Sequence, residues 1–269
     1  MATTAPTSPR RSRPQRATRS GTSVPGWVSA IAPVALLGLW ELAGRVGGSV
    51  YLPPLSRVLE RFVRDWFPDV VLHDLLPSLA RFAVGFVCAS AIGIVLGLAI
   101  GMSRTLAEYL RPTLEFLRAL PAVAILPVAV FFLGLGDSMR IAVIVLGVVF
   151  PVLVNATAGA RSVRPERVDT ARMFGLSRLA IARHVVLPSA LPMISAGLRV
   201  ALPIALIMTV VSELVGGQNG LGYYLSAHQQ MLDIPAMFTA VIVLGVLGNL
   251  LNVAYTAAEN RMLHWAKHA

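Results

Sequence analysis

The chain has 269 residues, of which 56% are hydrophobic and only 13% charged, with a net charge of +10 and a mean hydropathy of +0.71. Soluble domains carry about 25% charged residues, so these figures exclude a large soluble core and describe a polytopic membrane protein. The positive charge rests on arginine, since Lys267 is the sole lysine. The arginines flank apolar runs, which argues against a nucleic-acid-binding surface.

In chain order, residues 1–26 hold Arg10, Arg11, Arg13, Arg16 and Arg19 among Pro, Ser and Thr, the composition of a disordered basic tail. A signal peptide, or a twin-arginine signal at Arg10-Arg11, is also compatible with a positive start. The apolar run begins well after that pair, and a retained anchor suits the remaining chain better. Six apolar segments follow, at Trp27–Ala43, Leu79–Gly101, Thr113–Leu135, Ile141–Gly159, Leu191–Val215 and Met237–Thr256. Each approaches the ~20 residues that span a bilayer as a helix. Unbroken apolarity does not fit barrel strands, so an all-α integral membrane protein with six transmembrane helices is expected. The expected organisation is a first span and outer amphipathic segment over 27–74, and a transmembrane core over 75–258. That core contains a polar loop at 160–189, and a tail follows over 259–269.

Between the first two spans, Tyr51–Pro77 opens on Pro53-Pro54 and places Leu59, Phe62, Val63 and Trp66 at helical spacing. This predicts an interfacial packing helix, with Trp66 and Phe67 in the interfacial belt. The second span carries Gly85, Ala89, Gly93, Gly97 and Gly101 four residues apart, a stripe for close helix packing within the subunit or against another. Cys88 in the same span has no internal partner for a disulfide and reads as a small buried thiol.

The third span contains Pro121 and Pro127, which free backbone carbonyls and kink a helix. They point to a translocation-lining or gating segment, with a merely bent packing helix as the other reading. In the fifth span, Arg199 lies in the inner half and Glu213 near the outer end. An ionisable residue there is a candidate for the path or a gate; simple solvation at the interface is the alternative. A bare carboxylate repels anions, so pairing with a nearby arginine is expected. Arg199 lies fourteen residues, or ~21 Å, along the same helix, too far to be that partner unless it comes from another helix. Gly216, Gly217, Gly220 and Gly222 predict a flexible outer turn. No His, Cys or acidic cluster has metal-ligand spacing, and no glycine-lysine nucleotide signature occurs, so neither a metal nor ATP is expected on this chain.

Orientation follows from the arginines. One set of segments holds the five tail arginines, Arg104, Arg111, Arg161, Arg164, Arg167, Arg172, Arg178, Arg183, Arg261 and Lys267; the other holds Arg45, Arg57, Arg61, Arg64 and Arg140. The positive-inside rule puts the first set, and both termini, in the cytoplasm.

The most specific stretch is Asp169–Pro188, DTARMFGLSRLAIARHVVLP. Gly175 can end a first short helix in a left-handed turn, Ser177 is placed to cap a second, and Leu187-Pro188 is expected to stop it. The segment resembles the cytoplasmic coupling loop of ATP-binding-cassette (ABC) importer permeases. Their pattern is Glu-Ala-Ala, three residues, Gly, nine residues, Ile, one residue, Leu-Pro. Here it reads Asp169-Thr170-Ala171, Gly175, Val185 and Leu187-Pro188, with every spacing kept and Asp, Thr and Val as departures. Arg172, Arg178 and Arg183 stay open between groove contacts and lipid headgroups.

Further stretches extend the resemblance to permeases of the aliphatic-sulfonate, taurine and nitrate group. Among them are SLARFAVGF at Ser78–Phe86, LRALPAVAILPVAVFFLGLGD at Leu117–Asp137 and ELVGGQNGLGYYLSAHQQ at Glu213–Gln230. The resemblance implies a type I (MetI-like) importer fold in the inner membrane and a second permease subunit, as a homodimer. It also implies a cytoplasmic ATPase dimer holding ATP and Mg, and an external substrate-binding protein met by the outer turn. Transport would follow alternating access driven by ATP. The implied solute is an aliphatic sulfonate or taurine, with nitrate, bicarbonate or a thiamine-precursor pyrimidine as alternatives. An ion-coupled secondary carrier is the rival class, but inverted repeats and paired midplane acids are not evident.

Overall fold

The computed structural model describes residues 26–264. The expected N-terminal tail, apart from its last residue, and the end of the C-terminal tail lie outside them. The described residues are helical almost throughout. Helix α1 spans Gly26–Gly47 and α2 spans Leu55–Asp65, after which a π-helical stretch, Trp66–Leu75, leads into α3, Leu76–Met102. Then come α4 (Arg104–Ala119), a 3-10 turn (Ala122–Ile125), α5 (Leu126–Leu133) and α6 (Asp137–Arg161). Helices α7 (Pro165–Met173) and α8 (Arg178–Ile181) form the loop. A π turn at Ala182–Val186 joins α8 to α9 (Leu187–Leu214), and α10 (Leu221–Gln230) and α11 (Ile234–Met262) complete the chain.

Among the described residues, four helical runs are long and apolar enough to cross a membrane, and a fifth if the bent pair of α4 with Ala122–Leu133 counts as one span. That pair corrects the third span. It is not one kinked helix but two pieces at 85°. Leu120 is extended (φ −72°, ψ 126°), the conformation imposed on a residue that precedes proline, here Pro121. Pro127 sits in the first turn of α5, where its missing N–H costs nothing.

The centre of the bundle is α3, α6 and α9. Helices α3 and α6 run parallel, because the bent pair brings the chain back between them. A Cβ added to Gly97 would lie 2.6 Å from the Ala156 Cβ, and one on Gly101 2.5 Å from the Ala160 Cβ. Gly85 meets Ile144 and Gly93 meets Val152 in the same register. Ala89, on the same stripe, is fully buried in the core that Val143, Val148, Val152, Ala201 and Ala205 complete. The small-residue stripe therefore faces α6 of its own subunit. Helix α9 packs antiparallel on α6 through Gly159 against Ala190 and Gly197 against Asn155.

Two side chains on these elements differ from expectation. Cys88 is exposed on α3, because the glycine stripe takes the packed face and leaves position 88 on the opposite one. Trp66 is 1% exposed rather than in an interfacial belt: its indole N–H donates to Thr239 Oγ1 (2.9 Å), and its ring lies against Tyr224. The break that turns it inward is Phe67, whose extended backbone (φ −113°, ψ 128°) separates the two helical pieces. Phe67 itself stays exposed.

Candidate functional site

The loop between α6 and α9 is built from its sequence in four steps. Pro165 opens α7 in the first turn, where proline is tolerated. Gly175 then ends it at φ +76°, with its N–H donating to the Arg172 carbonyl (2.9 Å) and the Leu176 N–H to the Ala171 carbonyl (3.2 Å). This pair of bonds is a Schellman motif, and it needs a residue that enters the left-handed region without cost. Ser177 caps α8 by accepting from the Ala180 N–H (3.3 Å). Beneath the loop, Ala171, Ile181 and Val186 pack on Ala160 at the end of α6.

Pro188 does not stop the second helix as expected. The helical path continues from Arg178 to Leu214. The π turn shifts the hydrogen-bond register, so that the Leu187 N–H reaches the Ala182 carbonyl, and Pro188 falls in the first turn of α9. A register shift at that point absorbs the bond that proline cannot donate. The loop is thereby joined rigidly to the span that carries Arg199 and Glu213.

Of the expected loop residues, Asp169 pairs on the surface with Arg172 (3.0 Å), and the Thr170 hydroxyl donates back to the Glu166 carbonyl (2.7 Å). Val185, Leu187 and Pro188 are half-buried where α8 passes into α9. The residues that the sequence reading overlooked are Met173, Phe174 and Leu179, each at least 80% exposed at the tip of the helix pair. Three large apolar side chains thus stand exposed on a polar, arginine-bearing loop, a composition of the kind that helix-in-groove recognition uses. They fall at the positions between Ala171 and Gly175 and just after Ser177, where the pattern fixes spacing but not identity.

The opposite end of the bundle holds a buried ion network. Glu213 has no exposed surface. The Ser78 hydroxyl lies 2.7 and 2.9 Å from its two carboxylate oxygens, Arg81 Nη1 donates to Oε1 (2.8 Å), and the Gly222 N–H donates to Oε2 (3.1 Å). Arg81 also donates through Nε to Asp137 Oδ1 (2.7 Å) and reaches Asn219. Arg140, 5% exposed, shares Asp137 at 3.2 Å. These ion pairs tie α3, α6, α9 and the glycine loop together, and Asp74 accepts from the Gly220 N–H (2.9 Å) in the same loop.

The expected arginine partner of Glu213 is therefore Arg81. Arg199 pairs instead with Glu259 on α11, beside Ser195 and Tyr255. The glycine loop is packed rather than open. A Cβ on Gly220 would lie 2.5 Å from the Glu213 Cδ, and one on Gly222 2.3 Å from the Val210 carbonyl. Arg81 was within reach of the sequence, because a charge inside an apolar span is a marker of a paired or working group. On α10, beside Trp66, burial pushes the Tyr224 phenol above its usual range.

A helical bundle with membrane-length apolar runs and an exposed, apolar-tipped helix pair at one end has the architecture of a polytopic membrane subunit. The chain belongs to the family of binding-protein-dependent transport system inner membrane components, whose family profile matches residues 89–264. It is similar to the putative aliphatic sulfonates transport permease protein SsuC of Bacillus subtilis (strain 168), at 29% identity over 243 residues, covering 89% of this chain and 88% of that one. The taurine transport system permease protein TauC of Escherichia coli (strain K12) is 32% identical over 221 residues, covering 80% of each. The formylaminopyrimidine transport permease protein ThiX of Halalkalibacterium halodurans is 28% identical over 232 residues, covering 86% of this chain and 93% of that one. Among solved structures, an inward-facing MetNI methionine ABC transporter matches with a TM-score of 0.63 at 17% identity, covering 74% of this chain and 98% of that chain. The chain is thus an ABC importer permease subunit of the inner membrane, with the fold of the MetI-like importers.

Proposed function

We propose that this permease subunit admits an aliphatic sulfonate or taurine to the cytoplasm by ATP-driven alternating access. The observation that carries the substrate reading is near-full-length similarity to an aliphatic-sulfonate and a taurine permease. In this reading the chain works as a homodimer with both termini cytoplasmic. Two ATPase subunits, which hold ATP and Mg, grip the tip of the loop at Met173, Phe174 and Leu179. Their closure moves α7, α8 and α9 as one piece, because the hydrogen-bonded turn at Gly175 holds α7 to α8 and the helical path from Arg178 to Leu214 is unbroken. The bent segment with Pro121 and Pro127 lines the path, Arg199 stands toward its inner half, and the external binding protein delivers the solute at the glycine-loop end.

A second reading, a thiamine-precursor pyrimidine, is favoured by the similarity to a formylaminopyrimidine permease. Nitrate and bicarbonate are further solutes for the same role. The test is growth of a strain lacking the protein on taurine or an alkanesulfonate as sole sulfur source, with sulfate as control. Failure on the sulfonate alone, restored by the intact gene, is expected. Normal growth, in a strain with no second sulfonate importer, would exclude the sulfonate reading and move the assignment to the pyrimidine, while leaving the permease role unchanged.

A further inference from the structure

The loop end of the bundle holds a cavity of about 1060 Å³ between the end of α3, the start of α4, the end of α6 and the loop helices. Its lining has two chemistries. The wall includes Met102 and Ala160 at the ends of apolar spans, with Ile181 and Val186 beneath the loop. The rim carries Arg104, Arg161, Arg172 and Arg178. Arg104 is answered by Glu108 (2.9 Å) and Arg172 by Asp169 (3.0 Å). Arg161 and Arg178 make no ion pair among the described residues, so four arginines meet only two carboxylates, Glu108 and Asp169, around this cavity.

We propose that this cavity binds the headgroup of an anionic phospholipid, with Arg161 and Arg178 on the phosphate and Met102 and Ala160 against the start of an acyl chain. The proposal rests on the membrane reading but not on the transported solute. A phospholipid presents an anionic group immediately beside an apolar chain, and this cavity places arginines beside the ends of apolar spans. A soluble anion would use only the rim and leave the apolar wall unexplained. Because Arg161 ends α6 and Arg178 opens α8, a lipid held between them would brace the loop against the bundle on the membrane side. The exposed tip at Met173, Phe174 and Leu179 stays free.

The test is lipid retention by the detergent-purified permease–ATPase complex, read by native mass spectrometry after titration with phosphatidylglycerol or phosphatidylcholine. Each arginine at an anionic lipid surface adds about fivefold to affinity, so Arg161→Gln/Arg178→Gln is expected to weaken phosphatidylglycerol retention about thirtyfold. Phosphatidylcholine retention should not change, and Arg45→Gln/Arg57→Gln at the opposite end should match the wild type. Equal phosphatidylglycerol retention by the Arg161/Arg178 variant and the wild type would overturn the site. Displacement of the lipid by millimolar inorganic phosphate would overturn the lipid as its occupant. Loss of the ATPase from the variant complex would assign the two arginines to the protein partner instead.

Discussion

Glu213→Gln is expected to destabilise the subunit by about 3 kcal/mol, the lower end of the range for breaking a buried ion pair from one side. The substitution keeps the shape of the side chain but leaves Arg81, only 5% exposed, with Asp137 as its remaining ion-pair partner, and Asp137 is already shared with Arg140. The damage should spread to the glycine loop, because the carboxylate also accepts from the Gly222 N–H, and the Ser78 hydroxyl that holds it accepts from the Leu221 N–H. Arg81→Gln/Glu213→Gln should recover part of the loss, since no unpaired buried charge then remains and Asp137 keeps Arg140. Thermal unfolding of the purified complex in detergent measures all three variants. A coupling between the two positions of about 1–3 kcal/mol is expected; additive losses would mean that the pair does not act as a unit.

Gly175→Pro should abolish uptake while leaving the subunit in the membrane. Proline holds φ near −65°, whereas the Schellman turn requires +76° and a donated N–H. The turn sits on an exposed loop, remote from the core of α3, α6 and α9, so the thermal midpoint should move little. Gly175→Ala separates backbone from packing. Nothing lies within 4 Å of the added Cβ, so its cost is the left-handed conformation alone, about 1–2 kcal/mol, and uptake should fall only partly. Unimpaired uptake by Gly175→Pro would contradict a rigid loop as the transmitter of motion.

The contrast between these two sites marks what could be read from the chain. Asp169–Pro188 was legible because its geometry is local. The left-handed Gly175, the Ser177 cap and the return to the span all follow from neighbours a few positions apart. Only the end of the second helix was misplaced, since Pro188 can open a helix as readily as stop one, and the π turn that decides between them leaves no mark in composition. The ion network was legible only by halves. Glu213 stood out as an acid in an apolar span, but Arg81 lies 132 positions away, and spacing says nothing about contacts at that distance. The bend at Leu120-Pro121 was hidden for a different reason: apolarity shows that a segment avoids water, not which way it runs. Trp66 was misplaced because the break at Phe67 that turns it inward leaves no mark in the helical spacing, and Cys88 because each side of a membrane helix is apolar, so hydrophobicity no longer separates packed faces from lipid-facing ones. In lipid that separation falls to small residues, and the stripe of Gly85, Ala89, Gly93, Gly97 and Gly101 identified the packed face of α3.

In the proposed function the tip of the α7–α8 pair is the handle by which an ATPase moves this subunit. That role is tested most directly by co-purification of the cognate ATPase with the tagged permease, comparing the wild type with Phe174→Glu/Leu179→Glu. Both side chains are about 80% exposed, so the substitutions disturb no internal packing, and the permease should be recovered in equal amount. The ATPase is expected to accompany the wild type and to be lost from the variant. Equal recovery of the ATPase with both would contradict that role.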